Sequence, residues 1–211
     1  MTFSIVARDV QTGALGVATA TAGPAVGALV PHGMPRTAAV ATQAMTNPYI
    51  AFDLLANVEQ YGADTALDLA LAADPESGRR QVIVVDAKGG IAAWTGTSCQ
   101  DFAGHLTAKD IAVAGNILAG ANVLESMLDA ASSTQSLPGR LLAALEAGHA
   151  AGGDSRGINS AAIKVYGDES YPDVDLRIDW SIDPLADLSD LMHRTLTGSY
   201  AEFFAQVMRR G

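Results

Sequence analysis

Thr2–Asp9 reads TFSIVARD and Ala14–Ala22 reads ALGVATATA, with Gln11-Thr12-Gly13 between them. The first run alternates with the two-residue period of a strand. The second sets Leu15, Val17 and Thr19 on one face against small residues on the other. Two such runs around a glycine turn predict an N-terminal hairpin.

Working outward, Val26–Val30 is a short apolar segment that Pro31–Pro35 breaks, and Thr37–Ala44 (TAAVATQA) reads as a further strand of mostly small residues. Asn47-Pro48 then supplies a helix cap and a proline at the first helical position. Ala51, Leu54, Leu55 and Val58 follow at helical spacing, Gly62 closes this helix, and Asp64 starts a second one running to Asp74-Pro75. Arg80–Asp86 (RQVIVVD), Lys88-Gly89-Gly90 and Ile91–Thr95 (IAAWT) form a strand–turn–strand unit, and Ile111–Asn116 is another strand. A second helix pair carries Val123, Leu124, Met127, Leu128 and Ala131, then Leu141, Leu142 and Leu145. Strands Ser160–Tyr166 and Val174–Trp180 come next. A long terminal helix from Asp183-Pro184 turns Leu185, Leu188, Leu191, Met192, Phe203, Phe204, Val207 and Met208 inward, with a break or kink at Gly198.

Helices therefore come in blocks, not after every strand, which argues against a doubly wound parallel sheet. The pattern fits an α+β fold with two mainly antiparallel sheets, each covered on its outer face by helices. No linker or internal repeat divides residues 1–211, so one domain is expected.

Apolar residues make up 49% and charged residues 17%, enough for a thick core. Aromatics are only 6%, so close backbone packing through alanine replaces large anchors. Net charge is −10, which repels nucleic-acid phosphates and anionic lipid heads, so neither is an expected partner. Cys99 is the single cysteine, so no intrachain disulfide can form. MTFSIVARDV lacks the basic start, apolar run and cleavage site of a leader, and no apolar stretch is long enough for a bilayer, so a cytoplasmic location is expected. Tyr200, Phe203, Phe204, Val207 and Met208 crowd the last helix, and this predicts a homo-oligomer.

Chemistry narrows by elimination. His32, His105, His149 and His193 have no ligand-spaced partner, so no metal is expected, and no cofactor motif is present. Gly152–Gly157 (GGDSRG) follows a helix instead of preceding one and has no Walker lysine. Its glycines fit a turn with positive φ, and Asp154 and Arg156 can form a charge-assisted pair, structural or catalytic. Gly-x-Ser-x-Gly is absent, and Cys99 has no basic neighbour in sequence. Thr2 is the remaining candidate. Removal of Met1 before a small residue would leave a threonine whose own α-amine, of pKa about 7.7–8.0, can accept the hydroxyl proton.

Read together, TFSIVARD (Thr2–Asp9), ATQA (Ala41–Ala44), RQV from Arg80, TG at Thr95, GN at Gly115, GGDSRG from Gly152, SAA from Ser160 and DLRID (Asp175–Asp179) appear in the order found in the DUF1028 family. The chain resembles that family from Thr2 to about Leu191. The resemblance implies a four-layer αββα sandwich like that of N-terminal-nucleophile (Ntn) hydrolases. It further implies an amidohydrolase acting on a small amide or peptide-like metabolite, with Thr2 as nucleophile and Asn116 as oxyanion donor. Asp154 and Arg156 would orient the amine or clamp a carboxylate, and Gln43 and Arg80 would be substrate-binding residues. The alternative is a catalytically silent member that binds a small molecule or scaffolds an assembly.

Overall fold

A computed structural model describes residues 2–132 and 135–210. The hairpin is β1 (Thr2–Arg8) and β2 (Leu15–Thr21), antiparallel with Phe3 opposite Ala20 and Val6 opposite Val17. Asp9 makes its turn, since Oδ1 accepts from the backbone N–H groups of Gln11 and Thr12, and Gly13 takes φ of 75°. Further strands are β3 (Pro31–Met34), β4 (Ala38–Ala44), β5 (Arg80–Asp86), β6 (Ile91–Thr95), β7 (Gly104–Ala108), β8 (Ile111–Asn116), β9 (Ser160–Tyr166) and β10 (Val174–Ile178). They form a six-stranded sheet ordered β10-β9-β2-β1-β8-β7 and a four-stranded sheet ordered β3-β4-β5-β6, antiparallel throughout.

The helices are α1 (Pro48–Ala72), α2 (Asn122–Ala131), α3 (Leu137–Ala150), α4 (Pro184–Leu196) and α5 (Gly198–Phe204). Helix α1 covers the outer face of the four-stranded sheet, and α2, α3 and α4 cover that of the six-stranded one. The result is an α+β, four-layer αββα sandwich with three apolar interfaces. Phe3, Ile5 and Ala7 of β1 face Met127, Leu141 and Leu145 of the helices. Val6 and Val17 face Ala39, Ile83 and Val85 of the opposite sheet. Val40, Val82 and Val84 meet Leu54, Val58 and Leu67 of α1. Strand β1 lies mid-sheet with both faces covered, which fits its nearly unbroken burial.

The helix signals translate directly. Asn47 accepts from the Tyr49 N–H and Pro48 takes the first helical position. Gly62, with φ of 78°, divides α1 into the two expected helices. Some expectations need correction. Val26–Ala28 forms a 3-10 turn, and Pro31–Met34 is a strand instead of a break. Pro31 is tolerated there because it begins an edge strand and owes no hydrogen bond to the ladder. Strand β7 carried no readable signal, since it is a short, half-exposed edge. In the terminal region, Thr197 is extended and Gly198 has φ of 64°, so α5 leaves the axis of α4. Leu185 and Leu188 are buried as expected, whereas Phe203 and Met208 face outward. Among the described residues, no helix is long and apolar enough to cross a membrane.

Candidate functional site

Thr2 pairs across the sheet with Asn116, the last residue of β8, and is itself buried at 6% exposure. Its hydroxyl donates to Thr21 Oγ1 at 3.3 Å. Its carbonyl accepts from Gln43 Nε2 at 3.3 Å and from Asn116 Nδ2 at 3.4 Å. Both amides also donate to Gln81 Oε1, at 2.8 and 3.0 Å. Gln81 Nε2 in turn lies within 3.0 Å of Thr95 Oγ1 and the Gly104 and Gly115 carbonyls. Ser4 Oγ connects Gln43 Oε1 to Thr19 Oγ1. The strand ends of both sheets thus share one buried polar network centred on the Thr2 carbonyl.

The GGDSRG loop approaches from the other side. Gly152, Gly153 and Gly157 have φ of 117°, 51° and 86°, conformations costly for other residues. They bring Asp154 into a bridge with Leu118, just beyond β8. The Asp154 side chain is fully buried and accepts from the Ala22 N–H, the residue after Thr21, as well as from Arg156 through N–H, Nε and Nη2. Asp154 therefore stands one residue along β2 from the partner of the Thr2 hydroxyl.

A cavity of about 320 Å³ opens beside this cluster. Asn116, Ile117 and Arg156 are among its lining residues. Ala44 at the end of β4 and Met45 after it, Arg79 before β5, and Cys99 and Gln100 after β6 also line it. The volume is at the low end for small-molecule sites. Two larger grooves, about 500 and 610 Å³, lie under α4 and α5. They are lined by residues such as Val174, Thr195 and Phe204, and none of the six sequence candidates borders them.

The six candidates fall into different places. Asn116 and Arg156 line the cavity, while Thr2 and Asp154 stand behind its wall, joined to it through Asn116 and Arg156. Gln43 is buried between the sheets and touches Thr2. Arg80 is committed elsewhere, since Nε donates to Asp74 Oδ2 at 2.8 Å and other guanidinium protons reach Glu76 and the Met45 carbonyl. The Arg80 guanidinium holds the Asp74 carboxyl down at about 2. Met1, whose removal the nucleophile expectation requires, lies outside the described residues.

Cys99 lines the cavity, but burial pushes its thiol up, against thiolate formation. Among the described residues, no group of three or more His, Cys, Asp or Glu is placed to hold a metal ion. Sequence reading missed Gln81, Thr21 and Arg79. Gln81 had a usable signal, as a polar residue inside the apolar run of β5.

A solved relative has this architecture. A DUF1028 protein from Silicibacter pomeroyi, solved by crystallography, superposes with a TM-score of 0.92 at 34% identity, covering 98% of this chain and 91% of that one. Anbu (ancestral beta-subunit) from Yersinia bercovieri gives a TM-score of 0.48 at 13% identity, with 99% of each chain covered. The Anbu (Gly-1) mutant from Hyphomicrobium sp. strain MC1 gives 0.48 at 12% identity, with 100% of each covered. No curated protein matches. The model of DUF1028, a family of unknown function, matches residues 2–188, and the chain belongs to that family.

Proposed function

We propose that the protein is an Ntn-type amidohydrolase acting on a small amide or peptide-like metabolite, with Thr2 as nucleophile once Met1 is removed. The observation that carries this reading is the grip on the Thr2 carbonyl by two buried amides, which fixes the first residue of a central strand beside a cavity. Such preorganisation is worth more to a reacting residue than to a strand end.

In the proposed reaction the α-amine of Thr2 takes the hydroxyl proton as Oγ1 bonds to the acyl carbon. The carbonyl π electrons move to oxygen, and Asn116 Nδ2 stabilises that oxyanion by turning from its long 3.4 Å bond to Thr2 O. Collapse breaks the C–N bond, and the amine proton passes to the departing nitrogen. Water then attacks the Thr2 ester and gives one proton to the same amine; as the ester C–O bond breaks the amine returns that proton to Oγ1, and the released acid ionises in solvent. Asp154 and Arg156 form the rigid wall beside β2, and Gln43 acts by positioning Thr2. In this reading residues 1–211 act as one cytoplasmic domain without cofactor or metal, assembled as a homo-oligomer through the exposed Tyr200, Phe203 and Met208.

The second reading, a silent member that binds a small molecule or scaffolds an assembly, draws on the burial of Thr2 and its place behind the cavity wall. Intact mass of protein from its own host separates the two. The enzyme reading requires a mass short by one methionine residue and acylation of Thr2 by a β-lactone probe. Thr2→Ala should lose that label while its melting temperature stays within about 2 °C. Retained Met1, or labelling that survives Thr2→Ala, rules out the nucleophile.

A further inference from the structure

We propose that the cavity beside Thr2 selects amides bearing a carboxylate, held by Arg79 and Arg156. The inference rests on the amidohydrolase reading and adds its substrate class. The chain as a whole is strongly acidic, with 23 Asp and Glu against 13 Lys and Arg. The cavity inverts that balance, since two arginines line it and no Asp or Glu does. Each guanidinium has one carboxylate partner outside the lining, Glu76 or Asp154, so a ligand carboxylate is met by the N–H groups those partners leave unused.

The two guanidinium groups are held differently. Arg156 is preset by Asp154, whose fully buried carboxylate takes Nε at 3.3 Å and Nη2 at 3.2 Å. Its own side chain remains half exposed. A planar fork fixed on one edge can still present its remaining N–H groups to a ligand carboxylate. Among the described residues the Arg79 side chain pairs with Glu76, and both partners are about half exposed. Such a solvent-screened surface pair is weak, so a ligand carboxylate can displace it. Neighbouring Arg80 shows the contrast, because Asp74 locks it into the fold.

The walls carry a second sign of a built site. Ala44 and Ile117 both border the cavity with left-handed backbones, φ of 69° and 52°. For a β-branched residue this conformation is costly. Ile117 is held there from both sides, donating to the Gln100 carbonyl and accepting from the Ser155 N–H. That second bond ties the strained residue to the loop that carries Arg156.

The test uses Thr2→Ala protein, so that binding is read without turnover. Calorimetry compares the monoamides of malonic, succinic, glutaric and adipic acids with their neutral diamides, and inorganic phosphate with both. At least one monoamide is expected to bind ten times more tightly than its diamide and than phosphate, and to weaken as NaCl rises from 50 to 300 mM. Arg79→Gln and Arg156→Gln should each lower that affinity about tenfold. Arg156→Lys, which keeps a cation opposite Asp154, replaces Arg156→Gln should the latter fail to fold. No binding by any monoamide, equal binding of the diamides, tighter binding of phosphate, or full affinity in Arg79→Gln overturns the proposal. Carboxylate binding by Thr2→Ala protein, with wild-type protein left unlabelled by the β-lactone probe, would leave this inference standing and remove the amidohydrolase reading instead.

Discussion

Replacing Gln81 by Met tests whether the buried network holds the site together. Gln81 is fully buried, and Met matches its unbranched shape while removing every polar atom. The change strips the best acceptor from Gln43 Nε2 and Asn116 Nδ2, leaving each with only its 3.3 or 3.4 Å bond to Thr2 O. It also strips the Gly115 carbonyl of its 2.8 Å donor. Three buried polar groups at about 1–2 kcal/mol each, less about 1–2 kcal/mol for the apolar area Met gains, give a net loss of about 3 kcal/mol. For a chain of this length that lowers the melting temperature by about 6–12 °C. Thermal denaturation followed by circular dichroism at matched protein concentration reads the shift. A drop under about 2 °C would show that Gln43 and Asn116 find other partners and that Gln81 does not position them.

Three shorter predictions follow from other parts of the fold. Asp74 is held at about 2 by Arg80, against an ordinary 3.8, so its contribution is complete above pH 4 and disappears as pH falls to about 2. After allowance for solvent screening this is about 1–2 kcal/mol, and Asp74→Asn should flatten that part of an acid-denaturation curve; an unchanged slope would contradict the pairing. Gly96→Ala would put a methyl against the backbone of Gly78 and 2.7 Å from the Ser77 carbonyl, a clash no side chain can relieve. It should cost about 3 kcal/mol in urea titrations and distort the wall at Arg79, whereas a neutral effect would mean that the 77–80 segment yields freely. Light scattering at micromolar concentration should show an oligomer that Phe203→Glu dissociates, and a wild-type monomer would end the assembly proposal.

Layering was legible in the sequence because it depends on periodicity. Helices in three blocks, glycines at 62 and 198, and strands of alternating or wholly small residues are local signals, and each maps to an element. The errors fall at the edges. β3 and β7 have one neighbouring strand each and little buried face, so their composition is weakly constrained. The terminal aromatics misled because Gly198 redirects α5, and a helical stripe continues only as far as the helix axis does.

Site legibility followed a similar divide. Asn116, Asp154 and Arg156 stood out as polar residues at strand ends or between glycines. Their relation to Thr2 is a matter of sheet order, since β1 meets β8 and β2 by pairings no local pattern reveals. The family resemblance pointed to Arg80 and not to Arg79. The structure shows why adjacent positions diverge: at the strand start Arg80 turns to Asp74, while Arg79 ends the preceding 3-10 turn and borders the cavity.

The space between the sheets has two chemically different ends, and this constrains the fold as much as the function. At one end Val6, Val17, Ile83 and Val85 form a dry interface. At the other, Ser4, Thr19, Gln43, Gln81 and Asn116 are just as deeply buried yet polar. An apolar core would suffice for stability there, and a half-satisfied polar one would weaken it. None of these five contributes to the buried side-chain atoms left without a partner among the described residues, which are Arg8 Nε and Asp173 Oδ1. A one-residue slip of β1 against β8 would turn Ser4 toward the helices and break its bond to Gln43. Polar pairing at this end therefore fixes the register of the central strand, and with it the position of Thr2, to within a hydrogen-bond length. That precision is more than packing requires, and it is what a reacting hydroxyl at the strand start needs.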